Sequence, residues 1–189
     1  NYIRSIIGMD EEKQPYLQLL SKIPPEKEVS DQNVIELQQL YPIRQEEIHR
    51  LISTIRGDGS WPDINYADTK RSGWEPKQHT ERILKLTKYY AREQENVSAQ
   101  EISAVVSIIH QAMKYWFVQK PVCKNWWYNQ IGIPRTLGPA FLLFETEMTE
   151  KEKQEAIRVM EQSQFGMTGQ NKVWLAGNVL TVSYTHLRA

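Results

Sequence analysis

Apolar residues recur along this chain at intervals of three and four, and strict alternation is scarce, which predicts helices rather than strands. Over residues 45–55, Ile48, Leu51, Ile52 and Ile55 share one helical face, and Gly57 follows as the expected C-cap. The polar turn Gly57-Asp58-Gly59-Ser60-Trp61-Pro62-Asp63 comes next. A second helix is expected to start near Glu75-Pro76, with proline at an early position, and to carry Ile83, Leu84, Leu86 and Tyr90. Ser98-Ala99-Gln100-Glu101 has the form of a capping box, in which hydroxyl and carboxylate each satisfy an exposed backbone donor. The helix it opens should run to about Phe117 on a stripe of Ile102, Val105, Val106, Ile109 and Met113, with Pro121 ending the element.

Residues 126–144 are helical in pattern again, interrupted or bent at Pro134 and Pro139. Thr149-Glu150-Lys151-Glu152 is a second capping box, opening a helix to about Gln162, and a last helix begins around 169–171 with Val173, Trp174 and Leu175. Short helices are expected at 16–20, closed by Pro24-Pro25, and at 33–40. Helix–loop–helix units thus succeed one another along the chain. The pattern predicts an all-α fold of antiparallel helical hairpins, as in an α/α toroid or solenoid.

Composition narrows the possible partners. Lys plus Arg and Asp plus Glu number 23 each, so net charge gives no sign of a nucleic-acid partner. No apolar run approaches the roughly 18 residues that span a bilayer. Cys123 is the single cysteine, which excludes an intrachain disulfide framework and a Cys-based zinc site. The chain opens at Asn1 without the basic, apolar and small-residue succession of a signal peptide, so any such leader is expected to lie outside it. Six Trp and nine Tyr in 189 residues are many, and some cluster, as in Tyr115-Trp116-Phe117 and Trp126-Trp127-Tyr128. They suit either a packed core or a sugar-stacking cleft.

Candidate chemistry is sparse. His49, His79 and His110 sit in predicted helices without metal-ligand spacing, although His79 and Glu75 could share a face. No phosphate-binding glycine loop or nucleophile elbow occurs. Asp58 and Asp63 flank Trp61 and could form the acid–base pair of a glycoside hydrolase, or they could simply build the turn. The segment Asn125-Trp126-Trp127-Tyr128-Asn129-Gln130-Ile131-Gly132-Ile133-Pro134-Arg135 is more telling. Adjacent helix positions point about 100° apart, so one buried stripe cannot hold both indoles. A helix start lining a cleft would explain the pair, with flat faces offered to sugar rings.

Asn-Trp-Trp-x-x-x-Ile-Gly-x-Pro-Arg at 125–135 resembles the aromatic-patch motif of polysaccharide lyase family eight, the chondroitin AC, hyaluronate and xanthan lyases. Thr168-Gly169-Gln170-Asn171 is similar to that family's Thr-Gly-Ala-Asn, and Phe165 lies where hyaluronate lyases place a third aromatic. Residues 58–66 and 71–76 resemble its early hairpin loop. The resemblance implies an incomplete α/α toroid at 1–182 and β-elimination on a uronic acid of a chondroitin- or hyaluronan-type polymer. It implies that Asn171 neutralises the carboxylate, that Trp126, Trp127 and Phe165 hold the chain, and that Asn125, Asn129 and Arg135 offer polar contacts. It implies no metal and no organic cofactor.

Family members continue through a loop bearing a catalytic His and Tyr, the rest of the toroid and β-sandwich domains. Asp58-Gly59-Ser60 comes too early for that loop and lacks its His, and Gln170 replaces the family's Ala. The chain alone is therefore expected to be inactive, with an acidic polysaccharide as partner and no nucleic acid or membrane. The substrate implies a secreted or periplasmic protein. Residues 183–189, Ser-Tyr-Thr-His-Leu-Arg-Ala, resemble a translated sequencing adapter and are set apart from the fold.

Two other classes compete. One is a non-catalytic carbohydrate-binding helical module. The other is a different α/α-toroid enzyme, whether a glycoside hydrolase using Asp58 and Asp63 or one with the Gly-x-Trp of terpene-cyclase repeats, whose Gln is Ile55 here. For Asn171 itself the competing role is helix N-cap. The lyase reading requires Asn171 within roughly 20 Å of both indoles, and each indole partly exposed.

Overall fold

The computed structural model describes residues 44–163 and 169–187, with side chains to 178. The helices expected at 16–20 and 33–40, and the residues Phe165 and Thr168, lie outside the described residues. Among the described residues all regular structure is helical. The elements are α1 (Gln45–Thr54), α2 (Lys77–Glu93), α3 (Ala99–Gln119), a π-helical turn (Tyr128–Gly132), α4 (Ile133–Phe144), α5 (Glu150–Met160) and α6 (Gln170–Leu187). Short connections make neighbours of α2 and α3 and of α4 and α5, while α2 also packs along α4 and α6 packs on α4 and the π turn. The fold is all-α, an incomplete α/α toroid of helical hairpins.

Helix ends follow local chemistry, with two departures from expectation. α1 leaves the helix at Ile55, which is extended (ψ 140°), two residues before Gly57. The Arg56 N–H donates to the Ser60 carbonyl (2.8 Å) and the Gly59 N–H to the Arg56 carbonyl (2.9 Å), so the closed turn sets the end of α1. At the start of α3 only half of the expected box forms. The Ser98 hydroxyl accepts from the Glu101 N–H at 3.2 Å, but the Glu101 carboxylate accepts from the Tyr89 hydroxyl (2.5 Å) and faces His49 Nε2 (3.5 Å). A tie to α1 and α2 replaces the local one. At α5 the whole box forms: Thr149 Oγ1 accepts from Glu152 N–H and Glu152 Oε2 from Thr149 N–H (2.8 Å).

The core joins α1, α2, α3 and α4 around large rings, among them Trp61, Trp74, Tyr89, Trp116 and Phe144. His79 is fully buried among them. It stacks on Trp116 (centroids 5.6 Å apart, planes 24°) and meets Trp61 edge-on (4.9 Å). Its Nε2 faces the Ala112 carbonyl at 2.9 Å and must donate there, which leaves Nδ1 to accept from the Tyr66 hydroxyl at 2.8 Å. Tyr66 in turn accepts from the Trp61 N–H. Burial, the largest cause, holds His79 down at about 4, so the ring is neutral and its tautomer fixed. Gly59, at φ +91°, lets the 57–63 turn press on α3, since a Cβ there would meet the Gln111 carbonyl oxygen at 2.2 Å.

The proline-containing stretch forms one near-continuous helical path rather than a break. Pro134 cannot donate a backbone N–H, and the path widens into the π turn just before it. The Gln130 carbonyl accepts from the Ser163 hydroxyl at 2.8 Å, and the buried Asn178 amide donates to the Ile131 carbonyl (3.4 Å) and to Ser163 Oγ (3.0 Å). The backbone of α6 stays helical to Leu187.

Candidate substrate cleft

The Asn-Trp-Trp segment is anchored at its start by side-chain amides. Asn125 Oδ1 accepts from the Trp127 N–H (3.1 Å), and Asn125 Nδ2 donates to the Arg71 carbonyl (3.0 Å). Asn129 grips both backbone groups of Cys123, accepting from its N–H (2.9 Å) and donating to its carbonyl (2.8 Å). Both amides brace the loop, and one hydrogen and one lone pair on each are what they could still offer a sugar. The loop at 71–76 is thereby held against the 125–135 segment, with Trp74 packed on Tyr128 (5.8 Å).

The adjacent indoles face different surroundings, as their 100° separation requires. Trp126 is 41% exposed and makes no ring contact among the described residues. Trp127 is half-buried. A Cβ on Gly132 would lie 2.8 Å from Trp127 Cζ3, so the absent side chain at 132 is what lets this ring lie across the helix backbone. The rings of Trp127 and Trp174 meet nearly at right angles (5.8 Å, 80°), and the exposed Arg135 sets its guanidinium over the Trp174 ring at 4.9 Å.

Asn171 sits in the first turn of α6, which starts at Gln170, so it lies inside the helix instead of capping it. It shares one face with Trp174, Leu175 and Asn178, at the i, i+3, i+4, i+7 spacing of a single helical stripe. Leu175 and Asn178 on that stripe are buried against the rest of the molecule. Asn171 therefore lies on the face of α6 that carries Trp174, about one helical turn (~5 Å) along the axis from it. Asn171 is half-buried, and its amide has no hydrogen-bond partner among the described residues.

The other candidates are engaged in structural pairings. Asp63 forms a bidentate pair with Arg82 (2.7 Å for both bonds), and that hydrogen-bonded guanidinium holds its carboxyl below the usual range. Asp58 accepts from the Ser60 hydroxyl and N–H, which lower its carboxyl too. Two ionised, turn-building carboxylates leave no raised-pKa acid for glycoside hydrolysis. His110 pairs with Glu152 (2.7 Å), and no metal-type cluster of His, Cys, Asp or Glu occurs among the described residues.

The N-terminal alpha-helical domain of polysaccharide lyase family 8 matches residues 25–182. The chain belongs to that family. Chondroitinase-AC of Pedobacter heparinus is 30% identical over 92 residues, 49% of this chain and 13% of that protein. A solved chondroitinase AC lyase, from a study of its oligosaccharide complexes, matches with a TM-score of 0.66 at 24% identity, over 78% of this chain and 22% of that one. A Paenibacillus xanthan lyase matches with a TM-score of 0.62 at 17% identity, over 74% and 14%. At those identities the two structures show the fold alone. The chain spans under a quarter of the length of each of these relatives.

Reading the sequence singled out Trp126, Trp127, Arg135 and Asn171; the fold joins Trp127 and Arg135 through Trp174, and sets Asn171 one turn from Trp174 on the same helix. That reading missed Trp174 and Asn178. The signal was present, because 171, 174, 175 and 178 have helical spacing, but Trp174 passed for an ordinary apolar helix residue.

Proposed function

We propose that the protein cleaves uronic-acid polysaccharides of the chondroitin or hyaluronan type by β-elimination. On this reading the described helices form the wall of the cleft that holds the polymer and neutralises its carboxylate. The observation that carries it is Asn171: a half-buried amide without a partner among the described residues, in the first turn of a helix and one turn from Trp174, whose ring meets Trp127. An amide donor and the positive end of a helix dipole both favour the extra negative charge that a uronate carboxylate gains as C5 loses its proton. The C5–H bond gives its proton to a base, the C4–C5 double bond forms, and the C4–O4 bond breaks with O4 taking a proton. Trp126 and Trp127, with Phe165, offer flat faces to the sugars, and Asn125, Asn129 and Arg135 offer polar contacts.

The base is assigned to a His and Tyr outside this chain, as family resemblance implies. Residues 1–182 are read as part of the toroid, with 183–189 apart from it; the family match covers 25–182. A polymeric substrate cannot enter a cell intact, which supports a secreted or periplasmic location; no described helix is long and apolar enough to cross a membrane.

The test is ultraviolet absorbance of the unsaturated uronate. The full-length gene product should generate it from chondroitin or hyaluronan, and Asn171→Ala should lower kcat by about 10²-fold or more, as loss of one preorganised charge-stabilising donor does. The 189-residue chain should generate none, since positioned proton transfer contributes about 10²–10⁴-fold by itself. Turnover by this chain would place the base within it and overturn the assignment.

A further inference from the structure

Two groups of the proposed cleft meet at a residue so far without a role. Trp174 stands one turn beyond Asn171 on the inward stripe of α6. Its ring meets that of Trp127 nearly at right angles (5.8 Å, 80°) and carries the Arg135 guanidinium at 4.9 Å. Arg135 is exposed and has no carboxylate partner among the described residues. Arg82, Arg92 and Arg158 pair with Asp63, Glu93 and Glu155, whereas Arg135 instead lies over an indole. An unneutralised guanidinium on a flexible stem would ordinarily sample many rotamers. Resting on an indole face confines it without consuming its charge or its N–H donors.

We infer that Trp174 is a positioning residue that aims Arg135 at a second oxyanion of the polymer while bracing the Trp127 stacking face. This deepens, and rests on, the reading of the cleft as a polysaccharide site. Asn171 addresses the carboxylate of the reacting uronate, and Arg135 addresses a carboxylate or sulfate on a neighbouring sugar. A guanidinium suits either, because its planar fork matches a planar carboxylate and two oxygens of a sulfate alike. The contact is made in ground and transition states alike, so it acts on binding and not on the elimination step.

The full-length protein would be studied as wild type, Arg135→Gln, Trp174→Phe, Trp174→Leu and the Arg135→Gln/Trp174→Leu double variant. Affinity electrophoresis in gels containing chondroitin sulfate or hyaluronan reads binding without product, and elimination kinetics separate KM from kcat. Arg135→Gln and Trp174→Leu should each raise KM and weaken binding by about tenfold, with kcat held within about threefold, the size of one charge-assisted contact. The double variant should be no more than about twofold worse than the poorer single, since both remove the same contact. Trp174→Phe should recover most of the affinity.

A loss confined to chondroitin sulfate assigns the oxyanion to sulfate, and a loss on both polymers assigns it to carboxylate. Additive single effects, or Trp174→Leu that lowers kcat and melting temperature with KM unchanged, would reduce Trp174 to a packing residue. Should Trp174→Leu not fold, Trp174→Phe should raise KM moderately in the wild-type background but not beside Arg135→Gln; equal rises in both overturn the coupling. A protein that binds both polymers without eliminating would sink the lyase reading while leaving this test intact.

Discussion

At Gly132 a missing side chain shapes the proposed cleft. Trp127 lies where a Cβ on that residue would come within 2.8 Å of it, and a half-buried indole packed on Trp174 and Tyr128 has little room to retreat. Gly132→Ala should therefore tilt the ring, cost about 1–3 kcal/mol as overpacking does, and raise KM; tryptophan emission and kinetics would read both. His79 illustrates the opposite case, a titratable ring that serves packing. Its folded value of about 4 lies below the ordinary 6.5, so the unfolded chain binds more protons between those values. Stability is complete above about 6.5 and falls as pH drops toward 4, by up to about 3 kcal/mol. Thermal melts of the protein between pH 7.5 and 4.5 should show that loss. The His79→Gln variant, less stable throughout, should lack this component.

Among the helices, similar capping sequences meet different fates. Thr149 and Glu152 satisfy each other's backbone donors, and Glu152 also holds His110 on α3. Thr149→Ala should cost about 1 kcal/mol, read by denaturant titration with His110→Ala as a control that leaves the cap in place. Glu101 instead accepts from Tyr89, so Ser98→Ala removes a single bond and should cost less. The π turn before Pro134 joins two helical stretches that the two prolines would otherwise be expected to part, and it carries Trp127 and Arg135 on one path.

For the molecule as a whole, the cleft depends on how α6 docks. Asn178 ties that helix to the Ile131 carbonyl and to Ser163, which is bonded to Gln130. Asn178→Ala would leave a buried carbonyl short of a donor, at a cost of about 1–3 kcal/mol. Because Asn171 and Trp174 ride on the same helix, kcat and KM of the full-length protein should both deteriorate, unlike the KM-only effect expected at Arg135. Hydrogen exchange at 170–178 would report the loosened docking directly.

Periodicity, proline placement and capping residues determined the helical class and most helix limits, because each is a short-range property of the backbone. The adjacent indoles were legible as candidates because neighbouring helix positions cannot share one buried stripe, and Asn171 only through the resemblance of Thr168-Gly169-Gln170-Asn171 to a family motif. Only the tertiary structure decided that Asn125 and Asn129 brace a loop, that Asp63 pairs with Arg82, and that Trp174 lies between Trp127 and Arg135. Those outcomes depend on which distant group reaches a polar side chain first. Arg135 and Trp174 are 39 positions apart in sequence, and nothing local to either specifies the other. Their meeting follows from α6 packing across α4 and the π turn, a consequence of burying Leu175 and Asn178 that no spacing within one helix encodes.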